Sequence, residues 1–294
     1  MNLAFHKYQG LGNDFVLFDG EALKAFDPID PLFIRWICDR RFGVGADGIL
    51  LAVPPLARGA VRMIYYNADG SFSETCFNGL RCTALHAARE GWAKRGENFI
   101  VESPTGDVIA LVETDSDLTR IELAGPSFEP EQVPVKSTFP VIESLLDVAG
   151  MPLTGTALSI GNPHFVVWRG QGDLEQLNRD SRLIGASVEK AEVFPRMTNF
   201  ELARAVSPTE AIMAVWERGV GPTLACGSGA TATVCAGVKA GRLNAGVPVK
   251  VRMAGGDLQI EVSPDFARVA VVGGATYVFS GSLQVPTHRG IHLP

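Results

Sequence analysis

Cys76 stands ahead of the run "FNGLRCTALHAARE" and Cys226 ahead of "GSGATATVCAGVKAG", each with a glycine three residues on, Gly79 and Gly229. In both places a thiol precedes an alanine- and glycine-rich segment of helical pattern. The first turn of a helix has backbone N–H groups without intrahelical acceptors and a partial positive charge, so it attracts anions such as a carboxylate. The same field favours a thiolate, which predicts a thiol pKa drawn from about 8.5 toward neutrality. One such cysteine suits a nucleophile. Two suggest proton transfer at a stereocentre. One thiolate would remove an α-proton from one face of a carbon, the opposite thiol would protonate the other face, and the roles would exchange in reverse. Backbone N–H groups from both helices would stabilise charge developing on the substrate's carboxylate.

The elements that must position these thiols repeat with them. Cys76 and Cys226 lie 150 residues apart, and "LGNDFV" at 11–16 is answered by "IGNPHFV" at 160–166, with Asn13 and Asn162 149 residues apart. Two motifs in one order at nearly one offset argue for an internal duplication. Strand signals dominate ("DFVLFD", "GILLAV", "VRMIYYN", "HFVVWR", "EAIMAVWERG"), with glycine and aspartate turns between them. Helical patterns are read at 28–40, 79–94, 141–149, 173–184 and 227–241, and Asn78-Gly79 reads as a turn before the second. The expected fold is α+β, with two pseudo-symmetric halves. Each is a curved, mainly antiparallel sheet wrapped around a central helix, because the segment after Cys226 is small-sided all round. The expected boundaries are 1–124 with Cys76 and 125–275 with Cys226. They join in the proline-rich "ELAGPSFEPEQVPV", and the segment 276–294 returns to the first half.

Composition narrows the function. Hydrophobic residues make up 46% of the 294 positions and charged residues 20%, as in a chain with substantial cores. The net charge of −6 and the lack of a Lys/Arg run speak against nucleic acid or an anionic membrane as partner. The N-terminal stretch lacks a long apolar run and no segment looks like a membrane span, so the cytoplasm is the expected compartment. The five cysteines (Cys38, Cys76, Cys82, Cys226, Cys235) form no Cys-x-x-Cys pair and no zinc-like cluster, so no metal is expected. Cys38, Cys82 and Cys235 read as small buried hydrophobes.

Seven motifs in order, "GLGNDF", "RRFGVGADG", "NADGS", "CFNGLRC", "GNPH", "TNFE" and "WERGVGPTLACGSGA", span nearly the whole chain. On them the sequence resembles the diaminopimelate epimerases, two-cysteine enzymes that use no cofactor and interconvert LL- and meso-diaminopimelate on the route to lysine and peptidoglycan. The resemblance implies Cys76 and Cys226 as the paired bases. It also implies that backbone groups at Phe77, Asn78, Gly79, Gly227 and Ser228 hold the reacting carboxylate. Asn67, Asn162, Asn199 and Arg218 would grip the distal amino-carboxylate arm, with Asn13 adding to the pocket. His164 and Glu217 would sit beside the reacting centre. A small amino acid is then the partner, and a homodimer is the assembly the family suggests.

Two positions depart from the family pattern. Phe77 stands where the family has Gly after the first cysteine, which predicts crowding or a strained backbone. Pro222 stands where Glu is common and removes a backbone donor. Three alternatives follow from the same residues: a racemase of another amino acid such as histidine, a cysteine hydrolase pairing one thiol with His164, and a thiol redox sensor. The hydrolase leaves the second, duplicated cysteine without a role.

Overall fold

The computed structural model describes residues 2–23 and 30–284. It divides into two compact units, one holding the residues up to Ile121 and those from Gly273 onward, the other Glu122–Val272. In the first, β1 (Asn2–Gly10) and β2 (Asn13–Asp19) form a hairpin, followed by the single turn α1 (Gly20–Leu23) and the helix α2 (Pro31–Cys38). Then come β3 (Gly48–Val53), β4 (Val61–Asn67), the short β5 (Phe72–Ser73), α3 (Phe77–Arg89), β6 (Phe99–Ser103), β7 (Gly106–Val112) and β8 (Leu118–Ala124), in which the unit boundary falls. From the far end of the chain β18 (Thr276–Gln284) lies antiparallel to β1.

The second unit repeats this plan. A hairpin of β9 (Ser144–Val148) and β10 (Met151–Ser159) leads to β11 (Pro163–Trp168), α4 (Leu174–Glu189), β12 (Asn199–Ser207), β13 (Glu210–Glu217) and β14 (Gly221–Pro222). After α5 (Gly227–Lys239), the unit closes with β15 (Val249–Met253), β16 (Gly256–Val262) and β17 (Arg268–Gly274). The ladders correspond strand for strand. β1–β2 and β10–β11 are antiparallel, β2–β3 and β11–β12 parallel, β3–β4 and β12–β13 antiparallel. β4–β6 and β13–β15 are again parallel, each pair bridged by the helix that follows a cysteine. Each unit is thus mainly antiparallel with two parallel joints, the kind that needs a crossover helix.

The central helices are enclosed by their own sheets, α3 against β1, β3, β4, β6, β7 and β18, and α5 against β10, β11, β12, β13, β15 and β16. Every residue from Phe77 to Ala87 and from Gly227 to Gly237 is buried. Small side chains permit this in α5, where a Cβ on Gly237 would fall 2.5 Å from Leu243. Each unit also has a core on the outer side of its sheet. In the first, Leu3, Phe18, Phe33, Ile34, Ile37 and Ile49 pack together under α2; in the second, Phe165, Leu177, Val188, Phe194 and Phe200 pack under α4. Both outer helices start on an aspartate: Asp30 accepts the Leu32 N–H at 2.9 Å and Asp173 the Gln176 N–H at 2.8 Å.

Three sequence expectations are revised. The segment 141–149 is no helix; Ser144–Val148 is a strand turned back on β10 through Ala149 and Gly150, whose φ values of 54° and 79° make the tight turn a two-residue hairpin requires. Asn78-Gly79 is not a turn before a helix but lies within the first turn of α3, which starts at Phe77. The helix after Asp173 runs on to Glu189 rather than stopping near 184. Of the pattern over 28–40, positions 28 and 29 lie outside the described residues, as does the chain beyond Gln284.

Candidate active site

Each candidate thiol is the N-cap of its helix. Cys76 has φ −153° and ψ 101°, Cys226 φ −124° and ψ 116°, and in both the sulfur accepts the N–H of the glycine three residues on at 3.3 Å. Extended backbone at the cap with a side-chain acceptor aimed back at the third helical N–H is the geometry that Ser or Asp usually supplies. Gly79 and Gly229 permit it by being bare. A Cβ on Gly79 would lie 2.9 Å from Leu50 Cδ2, and one on Gly229 would lie 2.8 Å from Glu201 Oε1. The next N–H of each helix, of Leu80 and Ala230, bonds the carbonyl of the cysteine itself. The N–H groups of the first two helical residues, Phe77 and Asn78 in α3 and Gly227 and Ser228 in α5, have no carbonyl within the helix to accept them.

Around Cys76 the amides are locked. Asn13 follows the Leu11-Gly12 turn (φ 55° and 84°), donates Nδ2 to Asp47 Oδ2 at 2.8 Å and accepts from Asn78 Nδ2 at 3.2 Å. Asn78 Oδ1 in turn accepts from Arg81 at 2.7 Å, and Arg81 also donates to the Phe77 carbonyl at 3.3 Å. Asp47 is held by Arg40 at 2.8 Å, which also bonds Asp14, itself paired with the buried Lys7. Arg81 is fully buried. Its positive charge lies close enough to Cys76 for attraction, and burial without a paired carboxylate pulls its guanidinium below the usual arginine range. Asn67, at the end of β4, bonds Ser71 Oγ at 3.0 Å and lies outside this chain of amides.

Phe77 carries none of the backbone strain expected of it. It is the first residue of a regular helix without positive φ, so a glycine's freedom is unnecessary, and its ring is 2% exposed. Pro222 is exposed on the two-residue strand β14, opposite Trp216.

The second unit surrounds its thiol with carboxylates. Glu217 accepts a hydrogen bond from Thr223 and another from the Cys226 thiol; loss of water raises its carboxyl, and these bonds oppose the rise. Cys226 is pushed well above the ordinary thiol range, first by burial and then by the Glu217 charge, against which Ser228 Oγ at 3.4 Å and the Gly229 N–H work. The expectation of a thiol drawn toward neutrality is therefore reversed at this site, because enclosure and two nearby carboxylates outweigh one helix terminus. Cys38 and Cys82 are each pushed up to about 12 by burial and Cys235 is also raised, in keeping with inert core thiols.

His164 lies wholly inside, with Nδ1 2.7 Å from Glu201 Oε1 and Nε2 2.8 Å from Asn162 Oδ1. Burial raises Glu201 and His164 lowers it, so the pair holds a carboxylate that would otherwise be costly to enclose. Asn199, 3% exposed, spends both ends of its amide on backbone: Nδ2 to the Pro163 carbonyl at 2.7 Å, Oδ1 from the Arg218 N–H at 2.9 Å. The Arg218 guanidinium reaches the Arg196 carbonyl at 3.3 Å. The turn carrying Glu217 and Arg218 is fastened from α4, where Glu189 accepts from Trp216 Nε1 at 2.8 Å and from the Gly219 N–H at 2.7 Å.

Sequence reading thus missed four supporting residues. Glu201, Asp47, Thr223 and Arg81 all stand inside the quoted motifs, but only side-chain contacts give them roles; Glu201 looks like any charged residue of an alternating strand.

Known proteins bear on this arrangement at three levels. The family model described as diaminopimelate epimerase matches twice, over residues 5–127 and 156–278, one match for each half of the duplication. The diaminopimelate epimerase of Desulfitobacterium hafniense is 42% identical over 282 residues, covering 94% of this chain and 96% of that protein. That of Methanothermobacter thermautotrophicus is 36% identical, covering 96% and 98%. Among solved structures, a hydroxyproline epimerase from Agrobacterium vitis has a TM-score of 0.72 at 11% identity, covering 99% of this chain and 94% of that one. A phenazine biosynthesis protein of the PhzF family from Bacillus anthracis has a TM-score of 0.66 at 13% identity, covering 97% and 100%. At such identities the likeness speaks for the fold alone. The full-length relatives and the doubled family match decide membership: the chain belongs to the diaminopimelate epimerase family.

Proposed function

We propose that this protein interconverts LL- and meso-diaminopimelate by moving the α-proton between two cysteine thiols, without a cofactor, as a step toward lysine and peptidoglycan precursors. The observation that carries the reading is the repetition of one unusual device. In each unit a cysteine caps a buried helix, its sulfur held 3.3 Å from the third helical N–H. The family's name supplies the substrate; the duplicated thiols supply the chemistry.

The starting state follows from the electrostatics. Cys226 rests as the thiol, since burial and Glu217 oppose its ionisation. Cys76, with the buried Arg81 close by, takes the role of the first base. Its sulfur removes the α-proton, electron density moves onto the substrate carboxylate, and the N–H groups of Phe77, Asn78, Gly227 and Ser228 receive that charge. Cys226 then delivers its proton to the opposite face, and the Ser228 hydroxyl and the Gly229 N–H hold the thiolate left behind. In the return direction the Cys226 thiolate removes the α-proton and the Cys76 thiol, carrying the proton taken in the forward step, delivers it to the opposite face. Asn67, Asn162, Asn199 and Arg218 are assigned to the distal arm, Asn13 to bracing Asn78, and His164 with Glu201 to orienting Asn162. A guanidinium suits the distal carboxylate because it can make two parallel hydrogen bonds. A cytoplasmic homodimer completes the proposal, in keeping with a biosynthetic enzyme and with the family.

The test is α-proton exchange followed by NMR in D2O under reducing conditions, comparing LL-diaminopimelate with lysine, histidine and glutamate. Exchange with inversion for diaminopimelate alone is the expected result. Exchange only with another amino acid would retain the two-thiol mechanism and replace the substrate. Absence of exchange with all four would overturn the assignment.

A further inference from the structure

The end of α3 remote from Cys76 carries a separate group of side chains. His86 lies ten residues after Cys76, about 15 Å along the axis at 1.5 Å per residue. Its ring is wholly buried; Nδ1 stands 3.0 Å from the Tyr8 hydroxyl, and Nε2 has no hydrogen-bond partner among the described residues. His6 on β1 places its ring 4.9 Å from that of His86, centroid to centroid. His6 Nε2 is 3.8 Å from Asp19 Oδ2 at the end of β2, beyond hydrogen-bond range, while Asp19 Oδ1 takes the Ala22 N–H at 3.3 Å. One ligating atom from each of the three residues lies within 4.8 Å of the others.

We propose that His6, Asp19 and His86 form a site for a divalent first-row transition ion, Zn²⁺ by its preference for two imidazoles, one carboxylate and a low coordination number. Bonds of about 2.0–2.2 Å in a tetrahedral shell bring ligand atoms to roughly 3.3 Å from one another, so the His6–Asp19 pair needs to close by about half an ångström and the pairs with His86, within 4.8 Å, by up to about 1.5 Å. Tyr8 completes the arrangement from behind. With Nδ1–H donating to its hydroxyl, His86 keeps the Nε2 lone pair for the ion and its ring orientation is set. This gives a purpose to a buried nitrogen that the protein otherwise leaves unsatisfied. The sequence expectation of no metal rested on spacing along the chain. These ligands come from positions 6, 19 and 86 and meet only because β1, β2 and the last turn of α3 pack together. The ion would clip the central helix to the first hairpin, far from the thiols, and would take no part in proton transfer.

The experiment uses the full chain stripped with EDTA and titrated with Co²⁺ as a spectroscopic stand-in for zinc, then with Zn²⁺ in competition. The expected result is one equivalent bound, with tetrahedral d–d bands and without thiolate-to-metal charge transfer, and displacement by Zn²⁺. His6→Ala and Asp19→Asn change half-exposed side chains; each is expected to weaken binding at least about ten-fold, lower the zinc-dependent rise in Tm, and leave epimerisation within about two-fold of the unaltered protein. Binding of equal strength in His6→Ala, charge-transfer bands that put the ion on cysteine, or no binding at all would each overturn the proposal.

Discussion

The two helix mouths began as copies and have been furnished oppositely. At Cys76 the bare glycine faces Leu50, the thiol is half-buried, and the buried guanidinium of Arg81 is close enough for attraction. At Cys226 the equivalent glycine faces the carboxyl of Glu201, the thiol is buried, and Glu217 accepts a hydrogen bond from it. The Cys226 mouth favours keeping a proton, while the Cys76 mouth has a buried guanidinium close by. A reaction that starts with a base on one face and an acid on the other needs that inequality, whereas two equal thiols would share one ionisation. Duplication thus accounts for the capped helices, and divergence accounts for the different side chains around them.

The sharpest way to break the comparison is to remove either thiol. Cys76→Ala and Cys226→Ala are each expected to slow interconversion by about 10²–10⁴-fold, the contribution of a positioned acid–base group, measured by stereoinversion of diaminopimelate. If one variant kept near-normal turnover, the two-base assignment would fail for that residue. Next in size is Phe77→Ala. Its burial predicts a loss of about 3–5 kcal/mol in denaturant unfolding.

The facing glycines sharpen the contrast further. Gly229→Ala drives a Cβ against Glu201 Oε1 and should cost about 1–3 kcal/mol through overpacking of the Glu201–His164 pair. Gly79→Ala meets only the tip of Leu50, a flexible side chain that can turn aside, and should cost less. Equal losses would say that the carboxylate is no more fixed than the leucine.

The smallest effect is electrostatic. Glu217 raises the Cys226 thiol, so Glu217→Gln removes a negative charge beside the thiolate and must move the pH midpoint of Cys226 alkylation downward, toward the ordinary thiol value. The same sign governs stability. A thiol whose pKa is raised by folding contributes stability below its unfolded value, near 8.5, and loses it as pH rises through the folded value. Glu217→Gln should therefore flatten the alkaline decline in Tm. Mass spectrometry of iodoacetamide-treated protein reads the first effect, and an unmoved midpoint would remove Glu217 from the thiol's surroundings.

The sequence by itself determined the duplication, the α+β class, the capped central helices and the two cysteines that begin them. These are properties of pattern: recurring motifs at one offset, period-two strands, and small residues placed so that a helix can be enclosed. It misread 141–149, where a short apolar run is ambiguous between helix and strand until the positive φ values at Ala149 and Gly150 close the hairpin. It also expected backbone strain at Phe77, which a regular first helical turn does not impose. Only the tertiary structure decided the charge at each thiol. Asp47, Glu201 and Glu217 reach their partners across strands and loops, up to 37 residues away for Glu201 and His164. Burial and proximity in space set a pKa, and neither is a property of position along the chain.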